Sequence, residues 1–227
     1  MTDAGSATPM TDDWSASDAL KAKLTPAFPP SLADTMASRT VKIAALDAPY
    51  LDGARLYRAE RTFRVGEPMV DHPSSWLLVQ VHADPMRMLA TREEWEWLRK
   101  QGVIRVQTEA QRVAYVRAYA ASVGRSERRY EWLVDRVEDL SLFTSTTAMP
   151  RAHDEAEAKR ARALEATYRP IIRPLSLPEP APYRGTLFAN GRGQKILRIA
   201  VEVSADARVT LADTVLENDA PIPMVFP

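Results

Sequence analysis

The run Ser75-Trp76-Leu77-Leu78-Val79-Gln80-Val81-His82, followed by Thr91-Arg92-Glu93-Glu94 and Thr108-Glu109-Ala110-Gln111, carries the fold class. The first segment is short, apolar and β-branched, which predicts a strand. Thr91 can accept from the Glu94 backbone N–H while the Glu94 side chain reaches back, a capping box. The helix it opens is expected to reach Gln101 and stop at Gly102, where left-handed backbone is cheap. Thr108 and Gln111 repeat the device, with Gly124 read as the end of that second helix. Ser126 reads as the cap of a third, ending near Leu140, and the central stretch as a whole runs from Trp76 to Phe143. Tyr130, Leu133, Val134, Val137 and Leu140 then share a helical stripe, as do Val113, Val116, Ala120 and Val123 with Tyr115 and Tyr119 beside them. Val103-Ile104-Arg105-Val106 reads as a short strand between the first two helices. The order strand, helix, strand, helix, helix predicts an α+β domain with helices on one sheet face.

Toward the N-terminus the pattern alternates. Val41-Lys42-Ile43 opens a strand and Asp52-Gly53 is a turn signal. The return run places Tyr57, Ala59, Phe63 and Val65 on one side, with Arg58, Glu60, Thr62 and Arg64 on the other. Residues 1–39 are acidic (Asp3, Asp12, Asp13, Asp18, Asp34), with a short helix expected over Ser17–Leu24 under a Ser17 cap. Pro26, Pro29 and Pro30 predict an extended path after it, and so an N-terminal arm.

Toward the C-terminus, 151–168 reads as a polar helix burying little beyond Leu164 and Tyr168. Pro170, Pro174, Pro178, Pro180 and Pro182 make the next segment stiff and extended. A hairpin about Asn190-Gly191 follows, with Leu197, Ile199, Val201 and Val203 on one face, then a strand over Arg208 to Leu216. The tail from Pro221 to Pro227 is apolar and proline-locked. The expected plan is an N-terminal arm (1–39), an α+β core (40–168), a Pro-rich linker (169–183) and a C-terminal β segment (184–227). The fold class is α+β: a central mixed domain with three capped helices, a three-strand C-terminal piece, and extended arms.

Composition narrows the chemistry. Lys+Arg 30 against Asp+Glu 30 argues against a chain-wide nucleic-acid or membrane binder. Cysteine is absent, which removes disulfides, thiolate nucleophiles and Cys-ligated metals. No signal peptide and no apolar run of roughly 18 residues is visible, so the expected place is the cytoplasm or a particle assembled there. Gly191-Arg192-Gly193 lies among strands, so it reads as a hairpin and not a dinucleotide loop. His82, Asp84 and His153 have the order of a two-His-one-carboxylate metal site, but a helical stretch separates them and His82 reads as a strand end. Asp71-His72-Pro73 reads as a loop. Hydrolase elbows, phosphate loops and H-E-x-x-H are missing, and no cofactor is expected.

Two signals remain. Trp95 and Trp97 lie about 200° apart on one helix, so a single core cannot take both, and Trp132 stands among charges. Off-stripe aromatics are interface candidates. Between residues 99 and 129, Arg99, Lys100, Arg105, Arg112, Arg117, Arg125, Arg128 and Arg129 face only Glu109 and Glu127. The expectation is a non-enzymatic structural subunit of a larger assembly, binding copies of itself or other subunits, a description that virion or phage accessory proteins fit. The alternatives are a nucleic-acid-binding module using Arg99, Arg105, Arg112, Arg117 and Arg125, and a His/Asp metal enzyme.

Overall fold

The computed structural model describes residues 17–38, 40–65, 70–140, 142 and 155–222, with the side chains of 62–74 excepted. The acidic stretch before Ser17, His153, Phe143 and the tail beyond Ile222 lie outside the described residues, as do the side chains of Thr62, Phe63, Arg64, Val65, Asp71 and His72. Among the described residues there are five α-helices and two four-stranded antiparallel sheets, an α+β fold. None of these helices is long and apolar enough to cross a membrane. By contact the chain divides into two compact units, residues 1–47 with 53–89 and residues 48–52 with 90–227. This grouping cuts differently from the segments 1–39, 40–168, 169–183 and 184–227, which follow composition.

In the first unit α1 (Ser17–Leu24) and α2 (Pro30–Ala37) precede β1 (Val41–Leu46), β2 (Ala54–Val65), β3 (Val70–Val81) and β4 (Arg87–Met88). The strands pair in that order, with Val41 opposite Arg61, Ala54 opposite Val81 and Leu78 opposite Met88. Val41, Ile43, Tyr57, Ala59 and Leu78 form one buried cluster with Leu24, Met36 and Met86, so both helices close the core of this sheet. The prolines do not keep 25–37 extended. Pro26 sits in a 3-10 turn (Thr25–Ala27) and Pro30 is the first residue of α2. A fixed φ and a missing N–H cost nothing in a first helical turn. The Ser17 Oγ at the start of α1 accepts from the Ile43 N–H at 2.9 Å. Lys21 donates to the Ser38 and Val41 carbonyls at 2.7 and 3.0 Å. The outer edge of β1 is therefore closed by α1. Asp52-Gly53 is part of a longer connection, with Gly53 at φ +74°, and Asp71-His72-Pro73 belongs to the backbone of β3, not to a loop.

The second unit holds α3 (Arg92–Lys100), α4 (Glu109–Ser126), β5 (Tyr130–Val134), α5 (Glu155–Tyr168), β6 (Tyr183–Gly191), β7 (Lys195–Val203) and β8 (Val209–Glu217), with sheet order β5-β6-β7-β8. Both capping boxes are present, and Gly102 adopts φ +69°. Val103 to Val106 contributes a single bridge, Ile104 to Leu51.

The third expected helix is a strand. Arg128 turns left-handed at φ 56°, and Tyr130, Trp132, Leu133 and Val134 pair with β6. Tyr-Glu-Trp-Leu-Val suits a pleated surface as well as a helix, and the unpaired side of β6 supplies hydrogen bonds across the sheet. Val137–Leu140 follows as a 3-10 turn whose ends are buried. Gly124 does not end α4. A Cβ there would stand 1.9 Å from Tyr130 Cζ, so glycine leaves the space in which the Tyr130 ring lies on the helix.

The Pro-rich segment is extended and packed. Ile172, Leu175 and Leu177 are buried, the Leu177 N–H donates to Glu109 Oε1 at 2.9 Å, and a Cβ on Gly185 would meet the Ser176 carbonyl at 2.3 Å. Ile172 joins Val134, Val137, Leu140, Tyr168, Phe188, Ile196 and Ile222 in the core of this unit. The β6–β7 hairpin turns at 192–194, one step beyond Asn190-Gly191, with Gly193 and Gln194 both at positive φ.

Candidate functional site

The tryptophans and arginines singled out in the sequence do not converge. Trp95 is 1 % exposed and sits against the rings of Tyr115 and Tyr119 at 5.8 and 5.7 Å. Tyr115 also meets Tyr50 at 5.6 Å. Tyr115 and Tyr119 are core residues of α4, not flanks of its stripe. Trp97 is half-buried. Trp132 is half-buried against the core of its unit, and its indole N–H donates to the Asp139 carbonyl at 2.9 Å.

Burial pushes the Tyr50 and Tyr115 phenols far above their ordinary range, so neither offers a proton at neutral pH. The buried Tyr50 hydroxyl has no hydrogen-bond partner among the described residues, which costs free energy. Tyr50→Phe is expected to raise the unfolding free energy by about 1 kcal/mol in urea titration. A loss of similar size would show that the hydroxyl bonds a trapped water instead.

The guanidinium groups are engaged within the chain. Arg99 bridges Glu96 at 2.6 Å and Asp206 at 2.9 Å. Arg105 reaches Asp52 at 2.8 Å, Arg117 pairs with Asp135, and Arg129 bonds Asp213 at 2.7 Å. Arg125 is exposed near the end of α4. Arg112 is 2 % exposed, donates to the Leu177, Val106 and Gln107 carbonyls at 2.9, 3.2 and 2.9 Å, and lies 4.1 Å from the centre of the Tyr183 ring. It ties α4 to the Pro-rich segment and to β6. Three carboxyls are held below the usual carboxylate range: Glu96 by its hydrogen bonds from Arg99, Glu127 by those from Arg92, and Glu109 by the Ser176 hydroxyl and the Leu177 N–H. Such groups are held ionised for structure rather than poised as acids. His82, at φ 51°, lies beside Gly53, and no group of three His, Asp or Glu residues suited to a metal occurs among the described residues.

What composition did not reveal is the outer side of β8, along which no other described strand pairs. The Ser204 N–H donates to the Arg208 carbonyl beside the Val203–Val209 pair, at 3.0 Å, which makes that pair the non-hydrogen-bonded kind. Alternation then turns the N–H and C=O of Val209, Leu211, Asp213 and Val215 away from β7. Val209 and Leu211 bury their side chains yet keep 9 and 8 % exposure, against 0 and 3 % for their partners Val203 and Val201. Residues 212–215 are exposed. Asp213 is exposed as a residue although its side chain is only 20 % accessible, so main chain faces outward there. Val215 is 45 % exposed, an uncommon state for a large apolar side chain among the described residues.

An open strand edge is a template for another strand, and folded proteins block such edges with Pro, Lys, bulges or covering segments. Here α1 covers β1, Pro73 lies in β3, β4 is two residues long, and α4 packs beside β5. The β8 sequence, Val-Thr-Leu-Ala-Asp-Thr-Val-Leu-Glu, has no Pro, Lys or Arg. That absence is a sequence signal, but it acquires meaning only when the pairing order puts β8 outermost. No protein-family model, curated protein or solved structure matches this chain.

Proposed function

We propose that this protein is a non-enzymatic interaction subunit of a larger protein assembly, recruiting a neighbour by strand addition along β8. The observation that supports this reading is the outward main chain of Asp213 and Val215, the latter an exposed valine, on a strand without blocking residues. The guanidiniums of Arg99, Arg105, Arg112 and Arg117 are occupied by carboxylates and carbonyls, which draws support from a phosphate-gripping role. Virion or phage accessory proteins remain one setting in which such a subunit serves.

The test is a photo-crosslinking residue at Val215, in the full chain, in the cells it comes from. A discrete protein adduct is the expected result. If illumination yields only uncrosslinked chain, the reading falls. The same probe at Thr186, on a central strand, serves as the control.

A further inference from the structure

We infer that the occupant of the β8 edge is β8 of a second copy of this chain, paired antiparallel about a two-fold axis at Ala212. This inference rests on the interaction reading above and names its partner.

The argument starts from which registers the backbone allows. Hydrogen bonds across the new seam need outward-facing residues opposite one another, that is Val209, Leu211, Asp213 and Val215. A two-fold through Asp213 would set two carboxylates directly opposite, which is unfavourable in a sheet. A two-fold through Ala212 sets Val209 opposite Val215 of the copy, Leu211 opposite Asp213, and Thr210 opposite Thr214. Valine pairs and threonine pairs are favourable cross-strand neighbours. Ala212 then meets Ala212 of the copy at a non-hydrogen-bonded pair, where side chains approach closest and a small residue fits.

The remaining charges agree with this register. Each Asp213 carboxylate is already held by its own Arg129 at 2.7 Å, so bringing Leu211 of the copy beside it strands no free charge. The far end of β8 is occupied by its own unit. The Tyr168 hydroxyl donates to the Leu216 carbonyl at 3.2 Å, and Arg160 bridges Glu217 at 2.9 Å. The open part of the strand is thus the part that the two-fold through Ala212 pairs with itself. The 45 % exposed Val215 is covered in the process, and the two sheets continue as one. Such an interface is isologous and closes on itself without running on into fibres.

Ala212 is exposed and pairs with Ala200 on the solvent face of the sheet, so charge is tolerated there in a single folded chain. The experiment measures the mass of the full chain in solution by light scattering and sedimentation at micromolar concentration. Wild type is expected to associate to twice the chain mass. Ala212→Lys and Ala212→Glu, each alone, place like charges face to face at the axis and are expected to weaken association about tenfold. Mixed in equal amounts, the two variants are expected to recover the dimer, because the axis then holds one ammonium and one carboxylate. Circular dichroism spectra that match wild type confirm that each variant is folded, and a thermal midpoint lowered only as far as the lost association requires agrees with that.

A wild type that stays at single-chain mass overturns the inference. So does a dimer that Ala212→Lys leaves intact, or one that mixing fails to restore. In each of these cases the Val215 crosslink separates the two ideas. An adduct with a different protein keeps the interaction reading and removes the second copy as occupant, whereas an empty lane removes both.

Discussion

Gly124→Ala is expected to destabilise the second unit by about 3 kcal/mol or more, the upper range for overpacking a filled site. Helix propensity alone argues for the opposite sign, since alanine in a helix interior gains about 1 kcal/mol over glycine. Contact decides it. A Cβ at Gly124 would stand 1.9 Å from Tyr130 Cζ and 2.4 Å from its hydroxyl oxygen. The ring cannot slide away cheaply, because Tyr130 is 1 % exposed and its hydroxyl donates to the Ala120 carbonyl at 2.6 Å. The check is a double-mutant cycle by urea denaturation. In a Tyr130→Leu background the Gly124→Ala penalty should shrink strongly. A cost that is the same in both backgrounds would show that the ring is not what glycine accommodates.

Arg112→Met is expected to cost about 3 kcal/mol or more, because it leaves two buried carbonyls and a part-buried one without their donor. The same substitution at Arg117, whose partner Asp135 sits at a partly exposed site, should cost well under about 1 kcal/mol. Arg112→Lys should fall between them, since one ammonium cannot span the carbonyls of Leu177, Val106 and Gln107 that the planar fork reaches together. Equal unfolding free energies for the Met variants at 112 and 117 would refute this account. Arg112 was singled out in the sequence as part of a basic face. Its actual work is to pin the proline-rich segment, through Leu177, to the first turn of α4.

Local chemistry was legible in the chain. Thr91 with Glu94 and Thr108 with Gln111 are capping boxes in the structure as in the sequence, and Gly102 takes the left-handed conformation expected of it. Those interactions close within four residues, so no distant partner can overrule them. The alternation from Leu197 to Val203 likewise marks a buried face. The stripe from Tyr130 to Leu140 misled because its spacing suits a helix while Tyr130, Trp132 and Val134 also alternate. The choice belonged to β6, whose side stood unpaired until β5 filled it. Pro26 and Pro30 misled for a related reason, since a residue that ends one helix also suits the first turn of the next. Of the residues chosen as contact candidates, Trp95 lies inside a ring cluster. Arg99, Arg105 and Arg117 meet acids far off in sequence or on a neighbouring element, which no run of charge reveals.

The amino-acid order alone determined the elements whose hydrogen bonds are short-range: two capped helices, the hairpins, and an α+β composition without thiol chemistry. Tertiary structure alone decided that 130–134 is a strand, that the proline-rich segment lies against its own unit, and which strand stands outermost. The physical reason is that an edge is defined by the absence of a neighbour. Val209 to Val215 would read the same in the middle of a sheet, and only the pairing order β5-β6-β7-β8 turns its backbone outward.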